Sequence, residues 1–156
     1  MIISQLPENS RVWFFGASTL IEEPEKMQLI SKLDLFVSDW KAHGSDLVAG
    51  YEILHDSILL VAVDESVTPP TGCSIDKVFK LLESMETDWF QRLLIWQPFC
   101  NTSKILSLSE AKEVYKKREL DGETIVVNTM VSTLKEAREQ LYIPFKNSWA
   151  FAKINL

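Results

Sequence analysis

The feature that most constrains this chain is an uninterrupted apolar run, Ile58-Leu59-Leu60-Val61-Ala62-Val63. A short run of aliphatic residues with no polar position is typical of a strand whose two faces are both covered. A second apolar run, residues 48–54, precedes it, and only His55-Asp56-Ser57 separates the two. This spacing predicts a tight antiparallel hairpin in which residues 58–63 form the central strand of a sheet.

Further strands are predicted where β-branched and aromatic residues cluster, at residues 11–15, 92–96, 105–108, 124–127 and 148–154. Apolar residues at helical spacing predict a helix that begins near Glu25 and ends near Gly44. A second helix is expected to begin at Ser74, a good N-cap residue. Two more helices are expected after the capping-box sequences that start at Ser107 and Thr133.

Length and composition fit one globular domain over residues 1–156, because 46% of the residues are hydrophobic and no linker-like stretch occurs. The alternation of helices and strands, with one hairpin, predicts an α+β (or α/β) fold. We expect a mixed β-sheet with helices packed against it.

Charge and hydropathy narrow the class of protein. The net charge of −6 disfavours binding to nucleic acid. No stretch reaches the ~18 apolar residues that a membrane span needs, and the N-terminus does not resemble a signal peptide. We therefore expect a soluble, cytoplasmic protein without membrane contact. Its two cysteines, Cys73 and Cys100, match no metal or redox spacing, so we expect free thiols.

The candidate ligand-binding residues lie where the buried strand ends and the second helix begins. Polar groups cluster there, and backbone N–H groups at a helix start can hold an anion. Purely structural roles, such as helix capping by Ser74, account for the same pattern. The candidate set is Asp64, Glu65, Ser66, Cys73, Ser74, Asp76 and, after a later strand, Asn128.

An alternative is a thiol-dependent or acid/base enzyme. A helix start lowers the pKa of a cysteine thiol, so Cys73 is a candidate nucleophile, with His43 as base and Asp64 as the residue that orients it. A structural role for His43 at a helix C-terminus is equally compatible with the sequence. The two histidines are too far apart in the sequence to suggest a metal cluster, and no cofactor is indicated.

Five segments resemble a known family when taken in order: Trp40-Lys41-Ala42-His43-Gly44, Val63-Asp64-Glu65-Ser66, Gly72-Cys73-Ser74-Ile75-Asp76-Lys77, Thr124-Ile125-Val126-Val127-Asn128 and Asn147-Ser148-Trp149. The family consists of uncharacterised short bacterial proteins often labelled ABC transporter ATPase. The resemblance spans nearly the whole chain and implies no catalytic residue, cofactor or substrate. Neither the G-x-x-x-x-G-K-[ST] phosphate loop nor a G-x-G-x-x-G segment occurs, so the sequence does not support ATP hydrolysis.

The sequence as a whole favours a non-catalytic binding or interaction protein over an enzyme. The expected partner is a small polar molecule, held near Asp64, Cys73 and Ser74, or another protein. Five tryptophans also suggest a homodimer, because tryptophan is enriched at subunit contacts.

Overall fold

The computed structural model describes residues 3–91, 94–97 and 102–154. Its first sheet contains strands β1 (Arg11–Gly16), β4 (Ala49–Leu54) and β5 (Ile58–Val63), in the antiparallel order β1-β5-β4. β5 is therefore the central strand, and β4 and β5 form the hairpin that the sequence predicts. In the hairpin Ala49 is opposite Val63, and Leu54 is opposite Ile58.

Both faces of β5 are buried, which is the physical reason for its lack of a polar position. One face packs under helices α1 (Glu25–Asp39) and α2 (Gly72–Glu83). The other face packs against a 3₁₀ turn at Ile3–Gln5 and helix α4 (Leu134–Glu139). The first core cluster contains Leu59, Val61 and Val63, and the second contains Ile58, Leu60 and Ala62.

A second sheet has the antiparallel order β7-β6-β8-β9. Its strands are β6 (Leu94–Gln97), β7 (Thr102–Ile105), β8 (Ile125–Val127) and β9 (Tyr142–Pro144). Helices α3 (Leu108–Lys116) and α5 (Trp149–Ile154) pack beside it in a third core cluster that includes Val126. The next residue, Val127, belongs to the second cluster, so β8 links the two sheets through their cores.

The α+β class is confirmed, but the strands are divided differently from the expected mixed sheet. The described part of the chain contains three antiparallel sheets, the smallest formed by β2 (Lys41–Ala42) and β3 (Ser45–Asp46). Adjacent parallel strands require a crossover connection. Here α1 and the β2–β3 hairpin connect β1 to β4, which are not neighbours in the sheet, and α2 connects β5 to a strand of the other sheet.

Two predicted elements are wrong. Residues 149–154 form helix α5, where the sequence predicts a strand over 148–154, and Ala150 and Ile154 are buried four residues apart. Helix α1 ends at Asp39 rather than near Gly44, because Trp40 is extended and the next residues turn back as the β2–β3 hairpin. The turn holds His43 and Gly44 at φ of 52° and 80°.

The remaining strand predictions are shifted by a few residues. The strand expected at 92–96 is observed as β6, with Arg92 outside the described residues. The short strand expected at 105–108 ends at Ile105 as β7. No helix among the described residues is long and apolar enough to cross a membrane.

Candidate functional site

The acidic segment after β5 is held by bonds within its own turn. Asp64 is buried, and its carboxylate accepts hydrogen bonds from the backbone N–H of Ser66 at 3.0 Å and from the Ser66 hydroxyl at 2.6 Å. Glu65 is exposed and lies 3.7 Å from the guanidinium of Arg11. The structure therefore gives both carboxylates partners without a ligand.

The start of α2 is a capping box in which Thr71, not Ser74, is the N-cap. The Thr71 hydroxyl accepts from the Ser74 N–H at 3.1 Å, and the Thr71 N–H donates to the Ser74 hydroxyl at 2.6 Å. The Ser74 hydroxyl also donates to the Thr71 carbonyl at 2.8 Å. The predicted N-cap was wrong by three residues because Ser74 supplies the returning half of the box.

The end of α1 is tied to the start of α2 by a buried hydrogen bond. The Trp40 indole N–H donates to the backbone carbonyl of Ser74 at 2.8 Å. Trp40 also packs against the rings of Trp13 and Phe36. This contact places the β2–β3 hairpin, which carries His43, beside the first turn of α2.

The three residues of the enzyme hypothesis are not joined in the described structure. Cys73 is an exposed free thiol in the first turn of α2, and His43 is exposed at the tip of the β2–β3 turn. Among the described residues, no hydrogen bond or ion pair connects Cys73, His43 and Asp64. Cys100 lies outside the described residues.

The last two candidates also have local partners. Asp76 is exposed and lies 3.2 Å from Lys80 of the same helix. Asn128 follows β8, and its side-chain oxygen accepts from the Met130 N–H at 3.2 Å. Neither bonds to Asp64, Cys73 or Ser74 within the described part of the chain. Among the residues that the structure describes, no group of three His, Cys, Asp or Glu side chains could hold a metal ion.

One turn beyond Cys73, α2 lines an open cavity of about 470 Å³ that we call the α1–α2 groove. Leu35, Phe36, Trp40 and Leu81 supply its apolar walls, and Lys32, Asp39, Lys41 and Lys77 supply its charged ones. Leu35 is 70% exposed, although it is a leucine in the middle of a helix. The groove was not predicted from the sequence, although Cys73, Lys77 and Leu81 stand four residues apart and therefore share one face of α2.

A second groove, the α1–β4 groove, runs between α1 and the edge strand β4. Its two cavities, of about 530 and 280 Å³, share Asp34 and Tyr51 as lining residues. The Tyr51 hydroxyl donates to the Asp34 carboxylate at 2.5 Å. Burial, and secondly this contact, raise the pKa of Tyr51 well above its usual value, so the hydroxyl remains a donor at neutral pH.

Comparison with protein-family models, with curated proteins and with solved structures finds no match. None of the five cavities described for this protein is lined by Asp64, Cys73 or Ser74.

Proposed function

We propose that this chain is a non-catalytic binding protein and that the α1–α2 groove is its ligand site. The observation that carries the proposal is a set of three lysines around apolar walls in a protein of net charge −6. Two of them, Lys32 and Lys41, are among only four basic residues in positions 1–65. A local excess of cations in an acidic region favours an anionic group on the ligand.

The contacts of the lysines refine the ligand class. The Lys32 amine donates to the Ser84 hydroxyl at 3.1 Å, and Lys41 lies 3.7 Å from Asp46. Lys77 forms no ion pair with a described residue, so its charge is available to a ligand. The proposed ligand has an aliphatic or aromatic body, which packs against Leu35, Phe36 and Leu81, and a carboxylate that lies near Lys77.

This proposal moves the expected site by one helical turn. Ser74 and Asp64 are engaged within their own turns, whereas Lys77 and Leu81 continue the stripe that begins at Cys73. An exposed thiol such as Cys73 stays reduced in the cytoplasm, so the proposal places the protein there. It names no nucleic-acid partner, and the membership in the bacterial family suggested by the motifs is likewise a proposal.

The exposed position of Cys73 on the same stripe favours one second candidate, the thiol-dependent enzyme. In that case the groove would bind the substrate, and Cys73 would attack it. This candidate requires a base that is hydrogen-bonded to the Cys73 thiol. No described hydrogen bond joins His43 to Cys73.

Titration calorimetry with decanoate tests the binding proposal, with decyltrimethylammonium as the ligand of opposite charge. Decanoate is expected to bind and the ammonium compound is not. Because a solvent-exposed ion pair contributes up to about 1 kcal/mol, Lys77→Gln should weaken decanoate binding roughly 2–5-fold.

A matched pair of variants on α1 tests the apolar contact. Leu35→Gln should weaken decanoate binding because Leu35 lines the groove, whereas Met27→Gln should not. Met27 is similarly exposed, at 65%, but does not line the groove. Equal binding of the two probes, or equal effects of the two variants, would exclude the α1–α2 groove as the site.

A further inference from the structure

Strand β4 is an open edge of the first sheet, and its outward backbone groups can be assigned from the register. The Asp64 N–H donates to the Val48 carbonyl at 2.8 Å, so Val48 and Asp64 form a hydrogen-bonded pair. Hydrogen-bonded and non-hydrogen-bonded pairs alternate along an antiparallel ladder. Gly50 and Glu52 therefore direct their backbone groups toward β5, and Ala49, Tyr51 and Ile53 direct theirs away from the sheet.

These outward groups have no partner in the described part of the chain. No backbone hydrogen bond from a turn, loop or helix there reaches Ala49, Tyr51 or Ile53. The opposite edge of the sheet differs, because the Val12 N–H donates to the Ser132 carbonyl and the Gly16 carbonyl accepts from the Gln91 N–H. The described residues thus cover most of the β1 edge and leave the β4 edge open.

The β4 edge also lacks the usual protection against strand pairing. Edge strands are commonly protected by proline, by a bulge or by charged side chains. The sequence Ala49-Gly50-Tyr51-Glu52-Ile53-Leu54 has no proline, and its register with β5 is continuous. Glu52 is its single charged residue.

We propose that a second copy of this chain pairs with the β4 edge, so that two β4 strands meet antiparallel about a two-fold axis at Tyr51. In this register Tyr51 is opposite Tyr51 of the second copy, and Ala49 is opposite Ile53. The Tyr51–Tyr51 pair and the two symmetry-related Ala49–Ile53 pairs are all hydrogen-bonded pairs, so every outward N–H and carbonyl of these residues finds a partner. The two sheets become one six-stranded sheet, and the interface is isologous.

The charges along the edge are compatible with this pairing. Glu52 is opposite Gly50 of the second copy, so the two glutamates do not face each other directly. In the α1–β4 groove the Lys26 amine is already paired with Asp56, and the Asp34 carboxylate accepts the hydrogen bond of the Tyr51 hydroxyl.

Sedimentation velocity over a concentration series tests for the dimer, and a variant tests the surface. Ile53→Lys places a cation on the paired edge and should raise the dimer dissociation constant at least tenfold. Met130→Lys is the control, because Met130 is 60% exposed and lines a cavity beside β1, on the opposite edge of the sheet. A protein that is monomeric up to millimolar concentration would overturn the proposal.

Spin labelling keeps the test decisive if Ile53→Lys fails to fold. Glu52 is exposed, so Glu52→Cys can carry a nitroxide in a Cys73→Ser, Cys100→Ser background. In the proposed register the two labelled Cα atoms lie roughly 8 Å apart, which gives strong dipolar broadening. Labels at Met130→Cys lie more than about 20 Å apart across six strands and should give little broadening. A dimer without broadening at position 52 would show that another surface forms the contact.

Discussion

The Trp40 indole N–H donates a buried 2.8 Å hydrogen bond to the Ser74 carbonyl. The bond joins residues 34 positions apart and fixes the end of α1 against the start of α2. Because the α1–α2 groove lies between these helices, this contact sets the spacing of its walls.

Trp40→Phe should lower the free energy of unfolding by about 2–3 kcal/mol, since it removes a buried hydrogen bond and part of a ring that fills the core. Chemical denaturation measures the change. Trp13→Phe is the control, because the Trp13 indole makes no hydrogen bond to a described residue and its ring is only partly buried. Equal losses in the two variants would mean that the Trp40–Ser74 bond adds no stability.

The turn of the β2–β3 hairpin depends on the left-handed conformation of Gly44. An added Cβ at Gly44 meets no atom within 4 Å, so the cost of Gly44→Ala is conformational. We expect a loss of about 1–2 kcal/mol in the free energy of unfolding.

Gly72→Ala is the matched control for Gly44→Ala. Gly72 is also free of contacts within 4 Å, but it lies in the first turn of α2 without a positive φ. Its replacement should leave stability unchanged or raise it by up to about 1 kcal/mol. The same destabilisation in both variants would contradict the explanation from backbone conformation.

The β4–β5 turn makes stability depend on pH through His55. Burial lowers the pKa of His55, although the nearby Asp56 carboxylate opposes this effect. The unfolded chain therefore binds a proton more readily than the folded one. The contribution of neutral His55 to the free energy of unfolding is fully present above the ordinary pKa of 6.5 and is lost as the pH falls below that value.

Denaturation midpoints at pH 7.5 and pH 5.5 measure this dependence. His55→Asn should show a smaller loss between the two pH values than the parent protein, and asparagine tolerates the positive φ of 53° at this position. His43→Asn, at an exposed turn position, should behave like the parent. If His55→Asn retained the full pH dependence, other groups would have to account for it.

The reactivity of Cys73 distinguishes a binding protein from a thiol-dependent enzyme. In a Cys100→Ser background, iodoacetamide should label Cys73 at a rate that His43→Ala leaves unchanged within twofold, because no described hydrogen bond joins the two side chains. Mass spectrometry follows the labelling. A fall of more than fivefold in His43→Ala would instead support His43 as a base and favour the enzyme.

Sequence reasoning succeeded where the determining contacts are local. The β4–β5 hairpin follows from two apolar runs separated by three residues, and both halves of the capping box at Ser107 and Glu110 form as expected. A hydrogen bond between two residues three positions apart is determined by those residues themselves, so the surrounding fold has little effect on it.

The predictions that failed depended on packing. The alternating large and small residues over 148–154 fit a strand as well as a helix. In the structure residues 149–154 form helix α5, from which the Phe151 ring packs against the rings of Tyr115 and Phe145. The capping role of Ser74 was recognised, but the local sequence did not distinguish the two ends of the box at Thr71 and Ser74.

By itself, the sequence determined that residues 58–63 form a doubly covered central strand, because six apolar side chains in a row must be buried on both faces. Only the tertiary structure decided which surfaces stay open. Lys32 and Lys77 are 45 positions apart and share a groove because Trp40 holds their helices together. The open edge of β4 likewise depends on where the other elements pack, since the same strand would be covered if another segment lay beside it.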